Sequence, residues 1–110
     1  MYVIGKTNKS FIRIKLRTML DDMYDMYDVY DEIYKVVYDC DMNHATLIDD
    51  YDEANEILDE IHSRIGEIKF YNMSTIGQAI DEEKGFNKVD YAQELKIFQL
   101  IPTLVNDFMR

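Results

Sequence analysis

The sequence predicts an α+β fold, in which a small antiparallel sheet (an N-terminal hairpin plus later strands) packs against two acidic amphipathic helices and a short third helix. Three observations support this prediction. Basic and apolar residues alternate near the N-terminus, apolar residues then recur at spacings of three and four, and acidic residues are concentrated in the middle of the chain. With 110 residues, of which 47% are hydrophobic, the chain is expected to form a single domain, 1–110.

The first predicted element is a β-hairpin formed by residues 2–6 and 10–16. Between Phe11 and Leu16, aromatic and basic residues at odd positions alternate with aliphatic residues at even positions, as they do in a half-buried strand. Residues 1–17 carry five bases and no acid. The hairpin is therefore expected to have a basic outer edge.

A long acidic helix is predicted to begin at Thr18. Its apolar positions follow each other at spacings of 3, 4, 3, 4 and 3, which places them on one helical face. They are Leu20, Met23, Tyr27, Tyr30, Tyr34 and Val37. The acids on the opposite face, at spacings of 4, 3 and 4, are Asp21, Asp25, Asp28 and Glu32.

A second acidic helix is predicted after Asp49 or Asp50, since either residue can cap it, and Gly66 is a natural end for it. Its apolar residues also recur at spacings of three and four. The acids along its other side are Asp52, Glu56 and Asp59.

The rest of the chain is predicted to contain a strand at 67–71, a short helix at 74–84 and a strand at 94–101. Asp90 with Gln93 also resembles a helix capping box. The sequence therefore leaves residues 90–101 open between strand and helix.

The distribution of charge is the most informative functional signal. The net charge is −10, and residues 18–63 hold 15 of the 22 acids against a single base. Like charges four residues apart on a helix cost a few tenths of a kcal/mol each, which indicates a purpose beyond solubility. The alternative is a solvated outer face, and pairing of these acids with the basic hairpin would weaken the surface.

An acidic helical surface predicts a positively charged protein partner and disfavours direct binding of nucleic acid. Tyrosines among the acids add the rigid contact area that protein interfaces favour. The predicted partner-binding residues are Asp21, Asp25, Asp28, Glu32, Asp52, Glu56, Asp59, Tyr24 and Tyr51.

No catalytic constellation is evident. The chain has one cysteine, Cys40, and two histidines, and neither an orienting third group nor a phosphate-binding glycine loop accompanies them. A non-enzymatic protein without a cofactor is therefore expected. The lone cysteine and the lack of a signal peptide or a membrane-length apolar run favour the cytoplasm and no membrane contact.

The loop between the two predicted helices partly matches a helix–loop–helix calcium site. Asp39, Asp41, Asn43 and Asp50 stand at its positions 1, 3, 5 and 12. His44 stands where that loop requires glycine, and Asp50 is shorter than the usual bidentate Glu. No metal is therefore expected, and these four residues form a weak candidate only.

In composition and style the whole chain resembles small accessory proteins of phages and mobile elements, which are rich in Tyr, Asp, Ile and Lys and lack enzyme motifs. The segment 45–58 is similar to a strand-then-helix unit of such proteins. Within this group the chain resembles acidic anti-CRISPR proteins. The resemblance implies a phage-encoded inhibitor in the bacterial cytoplasm, which occupies the DNA-binding cleft of a CRISPR effector nuclease. The alternatives are an acidic assembly module of a phage or mobile element and a calcium-binding regulatory protein.

Overall fold

A computed structural model describes the backbone of residues 1–23, 26–73 and 86–100, and the side chains of these residues outside 21–28. The described chain forms one five-stranded mixed sheet and two helices. The strands are β1 (Tyr2–Thr7), β2 (Ser10–Met23), β3 (Met26–Cys40), β4 (Lys69–Asn72) and β5 (Lys96–Gln99), and the helices are α1 (Tyr51–Ser63) and α2 (Lys88–Gln93). The strand order is β4-β3-β2-β1-β5, and β3 and β4 are parallel whereas the other neighbours are antiparallel.

The predicted acidic helix from Thr18 is wrong, and so is the predicted sheet packed against three helices. The end of β2 and the whole of β3 occupy this part of the sequence, and they pair from Phe11↔Cys40 to Met23↔Met26. Eight of the fifteen residues of β3 are β-branched or aromatic, and these residue types favour strands over helices. Pairing with β2 therefore outweighs the helical spacing of the apolar residues.

Irregularities in β3 change the spacing of its buried residues. The β2–β3 register shifts between Lys15 and Leu16 and again between Phe11 and Arg13, and at each shift β3 has one extra residue. Buried residues on the helix-covered face therefore fall at Ile33 and Val36, three apart, instead of two apart as in a regular strand. Neither residue belongs to the apolar series from which the helix was predicted.

The core lies between one face of the sheet and the two helices. Ile4, Ile12, Val36 and Phe70 come from the sheet and are at most 1% exposed. The buried residues that the helices and loops contribute are Ile48, Ala54, Ile61, Ile68, Tyr91, Ala92 and Leu95. Val3, Phe11 and Cys40 are buried on the opposite face of the sheet, as the register with Phe98 and Gly5 shows.

Several other predicted elements are confirmed. The N-terminal hairpin begins as predicted, and Asp50 caps α1 through a 2.7 Å hydrogen bond from the Glu53 amide. The strand predicted at 67–71 appears as β4. Residues 88–99 form both a helix and a strand, α2 followed by β5, and Asn87 rather than Asp90 caps α2. The predicted helix at 74–84 lies outside the described residues.

Beyond the body of the sheet, β2 and β3 continue as a two-stranded hairpin, here called the arm (16–23 and 26–32). β1 pairs with β2 only at Ser10 and Phe11, and β4 pairs with β3 only from Lys35 to Tyr38. The longest extent of the molecule is 59 Å. Neither helix of the described chain is long and apolar enough to cross a membrane.

Candidate functional site

Exposed carboxylates on the outer side of α1, together with one that precedes its cap, form the acidic face, defined as Asp49, Asp52, Glu53, Glu56 and Asp59. The helix forms because Asp50 caps it and because Ala54 and Ile61 bury its inner side in the core. No Lys or Arg occurs between Tyr51 and Ser63. Among the described residues, none of these carboxylates has an ion-pair partner, so the negative charge of this face is available to another molecule.

The carboxylates of the acidic face are regularly spaced. At about 100° per residue, Asp52, Glu56 and Asp59 lie within about 60° of the helix circumference. Residues four apart are separated by about 6 Å along the axis. This row is the part of the predicted partner-binding set that the structure places on a helix. Tyr51, also predicted to take part, is half exposed and packs edge-on against Tyr2, with ring centroids 5.7 Å apart.

A groove of about 280 Å³ runs beside the acidic face, between α1 and the base of the arm. Its apolar lining comes from Ile14, Leu16, Ile33, Leu47 and Ile57. Glu53, Glu56 and Glu60 stand around it, and two of them also belong to the acidic face. A groove with an apolar floor and carboxylates at its rim suits long basic side chains, whose methylene stems cover apolar surface while their charges pair with carboxylates.

Glu32 does not extend the acidic face, contrary to its predicted position. Its carboxylate pairs with Arg17, its cross-strand neighbour, and with Arg64 at 3.2 Å, and its side chain is only 14% exposed. The basic hairpin therefore neutralises this acid. Asp21 and Asp28 are register partners in the arm, and their side chains lie outside the described part of the structure, as do Tyr24 and Asp25 entirely.

Arg64 fastens the end of α1 to the base of the arm, which the sequence did not indicate. Its guanidinium contacts the carboxylates of Glu60 and Glu67 at 2.9 Å and donates to the Ile33 carbonyl at 2.8 Å. Glu60 in turn accepts the Ile33 amide proton at 2.9 Å. The two contacts with Ile33 join residues 31 and 27 apart in sequence, so no local pattern predicts them.

The acidic loop after β3 uses its side chains for local structure. Asp39 accepts from Ser10, Asp41 binds the His44 ring at 2.7 Å, and Asp50 caps α1. A strand, not a helix, precedes this loop, so it has no helix–loop–helix frame. Within the described ranges, no three His, Cys, Asp or Glu side chains cluster in a way that could hold a metal ion.

Cys40 has the surroundings of an unreactive thiol. It is fully buried, its Sγ donates to the Val37 carbonyl at 3.3 Å, and burial raises its pKa to about 11. His44, four residues away, is bound to Asp41, and its hydrogen bond holds the pKa of that carboxyl below the usual value. The thiolate needed for nucleophilic catalysis is therefore disfavoured.

Comparisons of this chain with protein-family models, with curated proteins and with solved structures find no match. The acidic face, the groove beside it and the exposed arm are therefore the features from which a function is argued.

Proposed function

We propose that this protein is a non-enzymatic inhibitor that binds the basic, nucleic-acid-binding cleft of another protein through the acidic face and the groove beside it. The observation that carries the proposal is the run of exposed carboxylates on α1, which have no ion-pair partner among the described residues. Two of them, Glu53 and Glu56, also line an apolar groove. Clefts that hold nucleic acid are rich in Lys and Arg, and such side chains match both features.

The expected mechanism is competition. Lys and Arg side chains that otherwise contact phosphates pair with Asp52, Glu56 and Asp59, and the stem of the side chain that pairs with Glu56 reaches the apolar lining of the groove. Because a protein and a nucleic acid cannot occupy the same cations at once, binding excludes the nucleic acid. Long-range attraction between the chain, with its net charge of −10, and a basic cleft also speeds association and makes it sensitive to salt.

The resemblance to small phage-type acidic proteins makes a DNA-targeting CRISPR effector nuclease the first partner to test. Such an effector reads a short DNA motif with arginines and holds nucleic acid in a basic channel. The acidic surface is smaller than the sequence predicted, because Glu32 is already paired and the residues from Thr18 to Val37 do not form a helix. The proposal therefore concentrates the contact on α1 instead of on two acidic helices.

The test measures DNA displacement. A guide-loaded effector nuclease is bound to labelled target DNA, and the protein is titrated in at two salt concentrations. We expect displacement that weakens at the higher salt, and loss of about tenfold in affinity for the triple variant Asp52→Asn, Glu56→Gln, Asp59→Asn, since three exposed ion pairs contribute about 0.5 kcal/mol each.

A matched control removes the same number of charges elsewhere. The triple variant Asp39→Asn, Asp90→Asn, Glu94→Gln has the same net charge as the α1 variant and leaves α1 untouched. It should keep wild-type affinity within about twofold, because net charge alone has a weak effect at physiological ionic strength. Equal losses of affinity in both variants would show that the interaction is non-specific electrostatic attraction. Binding without DNA displacement would instead favour an acidic assembly module.

A further inference from the structure

The arm carries an exposed apolar face, of which Leu16 alone also lines the groove of the proposed inhibitor contact. Leu16, Leu20 and Val29 are 56%, 66% and 64% exposed. Leu20 and Val29 are register partners, and Leu16 lies four residues from Leu20 on the same strand, so all three share one face of the arm. An exposed patch of large aliphatic residues on a two-stranded ribbon indicates a surface that is covered by another protein.

The outer edge of β2 in the arm is also open. Ile33 directs its amide and carbonyl away from β2, to Glu60 and Arg64, so Ile33 and its partner Leu16 form a non-hydrogen-bonded pair. The regular register then makes Thr18 and Leu20 direct their backbone groups outward as well. Thr46 covers this edge only at Ile12 and Ile14.

A sheet of only two strands, such as the arm, has little stability of its own. An isolated two-stranded hairpin is marginally stable in water, and a sheet with an apolar face generally needs at least three strands. Among the described residues, no third strand supports either edge of the arm beyond Lys15 and Lys35. A long, open, apolar edge of this kind is a site for strand addition.

We propose that the arm binds a second copy of this chain through the β2 edge, in a two-fold symmetric antiparallel arrangement centred on Thr18. Leu16 then pairs with Leu20 of the second copy, and the two sheets join into one continuous sheet. Both copies use the same edge, so the contact is isologous and limits the assembly to a dimer. A contact between the β2 edge of one copy and the β3 edge of the next would instead propagate into fibres.

The charged residues along the two edges of the arm favour β2 over β3 as the edge that binds the second copy. Centring the pair on Thr18 puts Lys15 at the register position opposite Asp21 of the second copy, twice by symmetry. The β3 edge between 26 and 32 carries no base, and although Glu32 is paired with arginines, Asp28 and Asp31 remain on it, so two such edges would repel each other. The β2 edge, which carries Arg17 and is preceded by Lys15, is therefore the one that a second copy of an acidic chain can approach.

Sedimentation equilibrium of the full chain tests this proposal. We expect a dimer of about 26 kDa, twice the chain mass of 13.1 kDa. The variant Thr18→Pro blocks the β2 edge without removing a β2–β3 hydrogen bond, because the Thr18 amide points outward. It should weaken dimerisation at least about tenfold. Asp31→Pro, the matched control, alters the register partner of Thr18 and blocks the other edge, and it should remain dimeric.

A cross-linking variant covers the case in which a proline variant does not fold. Thr18→Cys places an exposed thiol next to its copy across the two-fold axis, while Cys40 stays buried and unreactive. Oxidation should yield a disulfide-linked dimer, whereas Asp31→Cys should stay uncrosslinked. A monomeric wild-type chain at high-micromolar concentration, or equal behaviour of the Thr18 and Asp31 variants, would overturn the proposal.

The dependence of binding on salt concentration distinguishes this proposal from the inhibitor contact. Two chains with a net charge of −10 repel each other, so added salt should strengthen dimerisation, whereas it weakens binding to a basic partner. Failure of one interaction therefore leaves the other measurable. Dimerisation that weakens on adding salt would contradict the apolar edge contact proposed for the arm.

Discussion

Individual residues on the face of the sheet opposite the helices are held in tight packing. A Cβ atom on the buried Gly5 would lie 2.8 Å from the Phe11 ring and would clash with the Ser10 carbonyl. Only glycine therefore fits at this position, where β1 pairs with β2. On the same face, Cys40 is fully buried and bonded to the Val37 carbonyl. Burial raises the pKa of its thiol to about 11, and burial likewise raises the pKa of Tyr91 on the core side.

The raised pKa of Cys40 predicts a loss of stability at alkaline pH. The folded state binds the thiol proton more tightly than the unfolded chain does, so this contribution is complete below pH 9 and declines as the pH rises from 9 toward 11. Urea unfolding at several pH values should show the decline. In Cys40→Ala the decline should be smaller, and the Tyr91 contribution should remain.

Chemical modification gives an independent check of Cys40. A disulfide reagent at mildly alkaline pH should leave the native chain unmodified and should label one thiol after unfolding, since thiolates are the reactive form. Fast labelling of the native chain would contradict a buried, protonated thiol.

At the scale of secondary-structure elements, α1 shows the closest agreement between sequence and structure. Its cap and its two faces follow from local pattern, because a capping carboxylate and apolar residues three and four apart specify a helix without help from distant residues. Its end does not, since α1 ends at Ser63 and not at the predicted Gly66. The sequence allowed two caps, and the structure selects Asp50 by the hydrogen bond from the Glu53 amide.

This selection predicts different effects for two neighbouring substitutions. Asp50→Ala should lower the free energy of unfolding by about 1 kcal/mol, because the first turn of α1 loses its capping acceptor. Asp49→Ala, the adjacent control, should change it by less than about 0.5 kcal/mol. Thermal unfolding followed by circular dichroism measures both. A larger effect at Asp49 would place the start of the helix one residue earlier.

At the scale of the whole molecule, the junction between α1 and the arm joins the body of the domain to its extension. Arg64 bridges the carboxylates of Glu60 and Glu32 and the carbonyl of Ile33, which holds the edge of β3 where β4 no longer covers it. Arg17 contacts the same Glu32 from the exposed side of the arm. Both arginines pair with Glu32, but only Arg64 connects α1 to the arm.

Arg64→Met should therefore destabilise the protein by about 2 kcal/mol, because the partly buried carboxylates of Glu32 and Glu60 lose one of their two donors and the Ile33 carbonyl loses its arginine donor. Arg17→Met, the control, removes only an exposed contact and should cost less than about 1 kcal/mol. Urea unfolding measures the difference, and hydrogen exchange of the arm amides should quicken only in the Arg64 variant. Equal costs would show that the junction does not anchor the arm.

About half of the fold was predictable from sequence, and the candidate site was predictable in part. The hairpin start, α1 and the strand near Phe70 rest on local periodicity, and the acidic face rests on the clustering of acids around Asp52 and Glu56. The groove was not predictable, because Ile14, Ile33 and Ile57 meet there from three separate elements. Nor was the neutralisation of Glu32, which depends on strand pairing.

The sequence by itself determined a basic N-terminal hairpin, a capped amphipathic helix and an acidic middle, because capping, periodicity and charge are local properties. Only the tertiary structure determined the secondary structure of the residues after Thr18. Their apolar spacing fits a helix, while their β-branched and aromatic residues fit a strand, and the partner strand β2 settles the competition through a ladder that extends from Phe11 to Met23. Strand pairing is an interaction between distant segments, so its free energy is not contained in either segment alone.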